Sequence, residues 1–204
     1  MMRDSVVITG TDTGVGKTLV SAVLTLALNA YYWKPVQSGL ADEISEEKKV
    51  QQCTGLSATR CLPSIYSFQA SLSPDQAANL ENEEIDISRC ALPVDKKPLI
   101  IEGAGGVCVP LNEKKLLIDL MQQWQLPVII VARGTLGTIN HTLLTIEALR
   151  HRDFSIQGVV FSGELNVRNQ QAIEKWGEVQ TLFHLPFFKE VTPVILKNWI
   201  KEHL

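Results

Sequence analysis

Short apolar runs alternate with longer amphipathic stretches along most of this chain, and the alternation restricts its possible folds more than any other feature. Runs that are apolar on both faces are typical of parallel strands buried between two helix layers. The amphipathic stretches supply the crossovers that parallel strands require. The pattern predicts an α/β fold, one domain over residues 1–204, with a mostly parallel central sheet and helices on both faces. The predicted strands are Val6–Thr9, Tyr31–Lys34, Leu99–Glu102, Val128–Ala132, Ile156–Phe161 and Thr181–His184, and the predicted helices cover about 17–29, 46–54, 74–80, 84–92, 116–124, 138–151, 167–178 and 192–202. The polar region 41–95 shows no strong strand, and we expect it to lay loops and helices over one edge of the sheet.

The composition excludes several classes of protein. Of the 204 residues, 45% are hydrophobic and 20% are charged, which is enough for a sizeable core. The formal net charge of −3 disfavours a non-specific nucleic-acid binder. The four cysteines form no C-x-x-C pair, so reduced thiols are expected rather than a zinc site or disulfides. No signal peptide or membrane-spanning run is visible, and we expect a cytoplasmic protein that binds neither nucleic acid nor membrane.

A glycine-rich segment, Gly10–Thr18, follows the first predicted strand and opens the first predicted helix. Backbone N–H groups in such a loop, backed by a helix N-terminus, can cradle phosphates. Lys17 would reach the β- and γ-phosphates, and Thr18 would supply a hydroxyl for Mg²⁺. The segment departs from G-x-x-x-x-G-K-[ST] only in carrying Thr11 where the first glycine is usual. The coincidence of strand, loop and helix predicts a P-loop NTPase fold; a tight turn with a solvated lysine is the alternative.

Two further segments lie after predicted strands, where ligands bind in open α/β sheets. Glu102 ends an apolar strand and is followed by Gly103–Gly106. Because it lies beside a P-loop, Glu102 is a candidate second ligand of Mg²⁺. A helix cap or a solvated charge is the alternative interpretation. Lys34 ends an aromatic strand. It is either an exposed edge charge or a second cation for the γ-phosphate, and Pro35 fixes the backbone directly after it.

The loop Arg133–Asn140 follows a strand and opens a helix. Its free N–H groups would suit a carboxylate or a phosphate. An ordinary helix start capped by Thr138 explains the same residues, and the pattern alone leaves both interpretations open.

Taken together, these motifs resemble the dethiobiotin synthetase family. The segments that carry the resemblance are Gly10–Thr18, Lys34–Gly39, Glu102–Gly106, Pro127–Val131 and Leu136–Thr145. The resemblance implies an ATP- and Mg²⁺-dependent ligase of biotin biosynthesis. That activity closes the ureido ring of dethiobiotin on 7,8-diaminononanoate and CO₂, through a carbamate and a carbamic–phosphoric anhydride. It also implies a homodimer that grips the substrate's carboxylate across its interface.

The resemblance implies roles for individual residues as well. The expected catalytic residues are Thr13, Lys17 and Lys34. The expected nucleotide-binding residues are Gly14, Val15, Gly16, Lys17, Thr18, Leu19, Glu46, Glu102, Gly103, Ala104, Gly105, Ser162, Gly163, Pro186, Phe187 and Phe188. The expected substrate-binding residues are Thr13, Lys34, Ser38, Gly105, Leu136, Gly137, Thr138 and Asn140, and the expected metal ligands are Thr18, Glu46 and Glu102.

Three departures from the family pattern carry their own expectations. Glu46 stands where an Asp is usual, and a solvated acidic helix face is its rival interpretation. Ser162-Gly163 replaces an Asn-Asp pair that reads adenine, so weaker base discrimination is expected. Only 17 positions separate Lys17 from Lys34, which predicts a shortened first helix or a tight entry into the second strand.

Two other functions remain in competition. Another P-loop ligase that activates a carboxylate would use the same phosphate site. A partner-switching ATPase of the MinD or ParA type would use the amphipathic tail, residues 194–201, on a membrane, although a packing helix is the simpler interpretation. A GTPase is disfavoured because no N-K-x-D motif is present.

Overall fold

The computed structural model describes residues 5–204. Its main feature is a seven-stranded sheet, in which every strand pair is parallel, with the order β4-β2-β6-β1-β7-β8-β9. A second sheet pairs β3 with β5. The strands are β1 Val6–Gly10, β2 Tyr31–Trp33, β3 Val36–Gln37, β4 Cys61–Leu62, β5 Tyr66–Ser67, β6 Leu99–Gly106, β7 Val128–Arg133, β8 Ile156–Ser162 and β9 Thr181–Leu185. The helices are α1 Lys17–Ala27, α2 Glu46–Thr54, α3 Pro74–Leu80, α4 Leu117–Trp124, α5 Thr138–Arg150, α6 Val167–Gly177 and α7 Pro193–His203.

Both faces of the sheet are buried, as the apolar runs predicted. Successive residues of one strand enter opposite cores, so Val7 packs under α3–α6 while Ile8 packs under α1, α2 and α7. The same division holds for Ile130 and Ile129 on β7. The α/β class with a parallel sheet is confirmed, and all six predicted strands are present.

The middle of the chain refines one prediction and corrects another. Region 41–95 was expected to show no strong strand, and its strands β4 and β5 have two residues each; β4 pairs with β2 and forms an edge of the main sheet. A strand of two residues is too short to show a period, so its pattern is invisible in the sequence. The helix predicted over 84–92 is wrong. Ile85 and Ile87 are both buried, a spacing typical of extended chain, and only a 3₁₀ turn, Ile87–Arg89, forms there.

The entry into β2 is tight, as the short spacing predicted. Helix α1 ends at Ala27 and β2 begins at Tyr31, with Asn29 between them at a φ of 49°. Arg60 closes this turn by donating to the carbonyl of Ala30 at 2.7 Å, and its guanidinium lies over the ring of Tyr31. A side chain from the edge of the sheet thus stabilises a three-residue turn beside the P-loop.

Helix α7 packs on the protein. Leu196 and Trp199 are buried on the α1 and α2 side of the sheet, and Trp199 contacts the rings of Phe183 and Phe188. The apolar face of the tail is therefore covered, which favours a packing helix. Within residues 5–204, no helix is long and apolar enough to cross a membrane.

Candidate active site

The loop between β1 and α1 forms the floor of the site. Gly16 takes a φ of 95° immediately before the helix, a conformation that glycine adopts without strain. A Cβ atom there would also meet the Ser162 hydroxyl, which would have to move. Lys17 is only 6% exposed, and its Nζ donates to the carbonyl of Asp12 at 2.8 Å. Burial lowers the pKa of Lys17 to about 8, despite the attraction of Glu102.

Glu102 lies at the centre of the site, on β6, with 1% of its surface exposed. Lys34 Nζ donates to Glu102 Oε1 at 3.1 Å, and the Tyr32 hydroxyl donates to Oε2 at 2.9 Å. Thr18 Oγ1 lies 2.9 Å from Oε1. Burial, and then the charge of Glu102, raise the pKa of Tyr32 well above its ordinary value, so this phenol stays a donor. Each oxygen of the buried carboxylate thus has at least one hydrogen-bond donor.

Glu46 approaches the same threonine from the first turn of α2. Its Oε2 atom lies 2.7 Å from Thr18 Oγ1, and its Oε1 atom lies 3.7 Å from Lys34 Nζ. Burial would raise the pKa of Glu46, but Lys34, Thr18 and Lys49 outweigh it, and the pKa is lowered. The interpretation of Glu46 as a solvated helix face is therefore wrong, because the carboxylate points into the site.

The donor set around Thr18 fits a magnesium ion. One hydroxyl proton can serve only one of the two carboxylates, so spare oxygen lone pairs of Thr18, Glu46 and Glu102 converge. Hard oxygen ligands, one or two of them carboxylates, are what Mg²⁺ takes alongside substrate phosphates. No group of three or more His, Cys, Asp or Glu suited to a metal occurs in the described part of the chain.

Lys34 is held differently from Lys17. It is 9% exposed, and burial lowers its pKa, but Glu102 and Glu46 outweigh that effect, so the pKa is raised. Lys34 is therefore charged at neutral pH and is not an exposed edge charge.

These side chains line one cleft of about 740 Å³. The cleft opens along the P-loop, between the end of β6 and the loops that follow β3 and β5. The predicted site residues that line it are Thr13, Gly14, Gly16, Lys17, Thr18, Leu19, Lys34, Ser38, Glu46, Glu102, Ala104 and Gly105. Segments far apart in sequence are thus brought together at the carboxyl ends of parallel strands.

Comparison with known proteins agrees with this geometry. The family described as AAA domain matches residues 4–194. An ATP-dependent dethiobiotin synthetase BioD of Agrobacterium fabrum is 48% identical to this chain, with 97% of this chain and 92% of that protein covered. The corresponding protein of Novosphingobium aromaticivorans is 49% identical, with 91% and 89% covered. The chain belongs to the dethiobiotin synthetase family.

Solved structures agree on the fold alone. A ParA family ATPase from Chlorobium tepidum has a TM-score of 0.52 at 11% identity, with 98% of each chain covered. A plasmid partition protein from Borrelia burgdorferi has a TM-score of 0.57 at 11% identity, again with 98% of each chain covered. Because dethiobiotin synthetases are far more similar in sequence and α7 is packed, a ParA-like switch is not favoured.

Several expected nucleotide residues lie beside the cleft rather than in its lining. Ser162 contacts the P-loop at Gly16, and Phe187 packs over Gly163 with 83% of its own surface exposed. His184 links this region, since its Nε2 lies 2.6 Å from the carbonyl of Gly163. Phe188 instead packs against Trp199. Pro186 is half-buried, whereas Val15 is buried in the core and Gly103 lies against Leu117.

The expected carboxylate-binding segment lies outside the cleft. Leu136 is 98% exposed, and Asn140 is exposed as well. Helix α5 begins after Gly137, which has a φ of 93°, and no side chain caps it. The alternative interpretation, an ordinary helix start capped by Thr138, is therefore wrong about the cap. Thr138 is the first helical residue, and its buried hydroxyl lies 3.4 Å from that of Thr142.

Three residues at the site were missed in the sequence. Tyr32 was taken only as an apolar strand residue, although it lies two positions before Lys34 and so shares its face. Lys49 contacts Glu46 from one turn later on α2. Gln37 is buried; its Oε1 accepts from the backbone N–H of Glu46 at 3.1 Å and so fixes the start of α2.

Proposed function

We propose that this protein is an ATP-dependent dethiobiotin synthase, a ligase that closes the ureido ring on 7,8-diaminononanoate with CO₂. The observation that carries the proposal is the convergence of Lys34, Glu102, Glu46 and Thr18 beside a P-loop. The relatives named as dethiobiotin synthetases support the same activity. We further propose one domain over residues 1–204 and a cytoplasmic location.

The chemistry requires the activation of a poor electrophile. One amine adds to CO₂ and loses a proton, giving a carbamate whose negative charge disfavours attack at its carbon. A carbamate oxygen then attacks the γ-phosphorus of ATP, and ADP leaves. The second amine attacks the carbonyl carbon of the resulting anhydride, phosphate departs, and the amine proton is lost to the medium. The protein contributes to catalysis by positioning these closely spaced anions and by neutralising their charge.

In this proposal, Lys17 and Lys34 neutralise different parts of the negative charge on the phosphates and the carbamate. Lys17 follows the P-loop at the start of α1, and its Nζ would exchange the Asp12 carbonyl for a phosphate oxygen when ATP binds. Lys34 is fixed by Glu102 at the border of the cleft, and we propose that it faces the γ-phosphate and the carbamate when they are bound. Thr13, Ser38 and Gly105 line the cleft beside them and are proposed to contact the carbamate end of the substrate.

We propose that Thr18, Glu46 and Glu102 hold Mg²⁺. When bound, the ion would draw charge from the phosphate oxygens of ATP and so stabilise the departing ADP. The chain's own contribution is the alignment of three oxygen-bearing groups from α1, α2 and β6.

We propose a homodimer in which Leu136–Asn140 of one protomer holds the substrate carboxylate of its partner. Among the described residues, large exposed apolar side chains before α5, on α5 and on α6 support this proposal. They are Leu136, Leu144 and Trp176, with 98%, 56% and 70% of their surfaces exposed. Apolar side chains exposed in this way are typical of an interface.

The direct test is an assay with diaminononanoate, bicarbonate, Mg²⁺ and ATP that follows ADP and dethiobiotin together. ADP release that ignores the diamine would contradict the proposal. Lys34→Ala should lower turnover by roughly 10²-fold or more, because a fixed cation at the reacting phosphate is lost. Lys114→Ala, at an exposed position, is the matched control. Near-normal turnover by a folded Lys34→Ala protein would remove Lys34 from the mechanism.

A further inference from the structure

Lys49 lies at the edge of the candidate active site without a role in the proposed reaction. It extends from α2, one turn after Glu46, and lines the cleft together with Glu43. Lys49 Nζ lies 3.3 Å from Glu46 Oε1 and forms a second ion pair with Glu43, in the loop before α2. A chain of three charged side chains therefore leads from the cleft rim to the candidate metal site.

The contacts of Glu46 are divided between its two oxygens. Oε2 lies against the Thr18 hydroxyl at 2.7 Å, and Oε1 lies against two lysines, Lys49 at 3.3 Å and Lys34 at 3.7 Å. A glutamate has three side-chain torsions, and the last of them is broad, so contact at one oxygen leaves the carboxylate free to rotate. Contact at the second oxygen removes that freedom.

We infer that Lys49 is a positioning residue, held by Glu43, that turns Glu46 Oε2 toward Thr18 and toward a divalent cation bound there. The inference rests on the proposed function, because it assumes that Glu46 is a metal ligand. Lys34 cannot supply the same restraint alone, since it is the more distant partner and is already bonded to Glu102. Lys49 acts through Glu46 and does not touch the reacting groups.

A purely structural role for Lys49 would predict a loss of folding stability and no change in cation binding. A large loss of stability is not expected here, because the side chain of Glu43 is 66% exposed and that of Lys49 is 27% exposed, and such pairs contribute little to folding stability. Loss of Lys49 should therefore leave the unfolding transition nearly unchanged while it weakens cation binding. Stability and metal affinity separate the two roles.

The first experiment measures binding of Mn²⁺, as a paramagnetic substitute for Mg²⁺, to the full-length protein with a non-hydrolysable ATP analogue. Lys49→Met should weaken Mn²⁺ binding about tenfold, the usual effect of losing a partner of a metal ligand. Lys49→Arg should restore most of the affinity. Lys48→Met, exposed on the same helix, should leave it unchanged. In the assay, the Mg²⁺ concentration for half-maximal rate should rise while kcat at saturating Mg²⁺ changes less than about threefold.

A double-mutant cycle tests whether the effect passes through Glu46. Aspartate is one methylene shorter and would withdraw the carboxylate from Lys49. In a Glu46→Asp background, Lys49→Met should therefore cost less than about twofold in Mn²⁺ affinity. Equal losses in both backgrounds would overturn the inference, since Lys49 would then act directly on the nucleotide. Unchanged Mn²⁺ affinity in Lys49→Met, or no Mn²⁺ binding by the parent protein, would overturn it as well. Because binding is measured without diaminononanoate, a wrong substrate assignment would not affect this result.

Discussion

Lys17 is a buried cation whose only hydrogen-bond acceptor within residues 5–204 is a backbone carbonyl, and its replacement by methionine should stabilise the ligand-free protein. Methionine keeps most of the side-chain stem and removes the charge. Burial lowers the pKa of Lys17 from 10.5 to about 8. At about 1.4 kcal/mol per pH unit, the charged form costs the folded state roughly 3 kcal/mol at pH 7. Loss of the hydrogen bond to the Asp12 carbonyl should destabilise the variant by about 1 kcal/mol.

The net expectation is a gain of about 2 kcal/mol at pH 7, or about 4 to 8 °C in Tm for a chain of this size. The assay is equilibrium urea unfolding without nucleotide or Mg²⁺, because ligands that bind only the folded state would stabilise the parent protein. Lys114→Met, at an exposed lysine, is the control. The same Lys17→Met variant should lose ATP binding, because the P-loop cation is gone.

The pH dependence gives the sharper test. Between about pH 8 and 10.5 the unfolded chain binds more protons at Lys17 than the folded protein does, so stability rises with pH across that window. The penalty is fully present below pH 8 and fades above it. The advantage of Lys17→Met should therefore shrink by about 2 kcal/mol between pH 7 and pH 9.5. An advantage that stays constant with pH, or no advantage at pH 7, would refute the reasoning.

Three further predictions concern Tyr32, Arg60 and the choice of nucleotide. Tyr32→Phe removes a donor from the buried Glu102 and should lower the unfolding free energy by about 1–3 kcal/mol in urea titrations; no change would mean that the bond is not formed. Arg60→Met should lower Tm by a few degrees, roughly 1 kcal/mol, with the KM for ATP unchanged, since Arg60 closes the turn before Tyr31. CTP and GTP should support turnover within about tenfold of ATP, because Ser162-Gly163 offers no side-chain amide to the base; a preference of about a hundredfold for ATP in kcat/KM would contradict this.

The parts of the site that lie in short motifs after strands were predictable. Lys17, Lys34 and Glu102 each follow an apolar run, and parallel pairing brings the carboxyl ends of β1, β2 and β6 together. The sheet order adds β4 at the edge, which no periodicity revealed, because only Cys61 and Leu62 form it. Contacts made across the fold, such as Lys49 with Glu43, leave no pattern that distinguishes them from solvated charges.

The two site lysines show why local sequence does not determine the state of a charged group. Both are almost fully buried, yet the pKa of Lys17 is lowered and that of Lys34 is raised. The difference comes from partners distant in sequence: Lys34 forms ion pairs with Glu102 and Glu46, whereas Lys17 donates to a backbone carbonyl and forms no ion pair in the described part of the chain. Lys34 is thus compensated before any ligand arrives, and its role is to stay in place. Lys17 is the less compensated cation, so an incoming phosphate gains more electrostatic stabilisation at the P-loop than at Lys34.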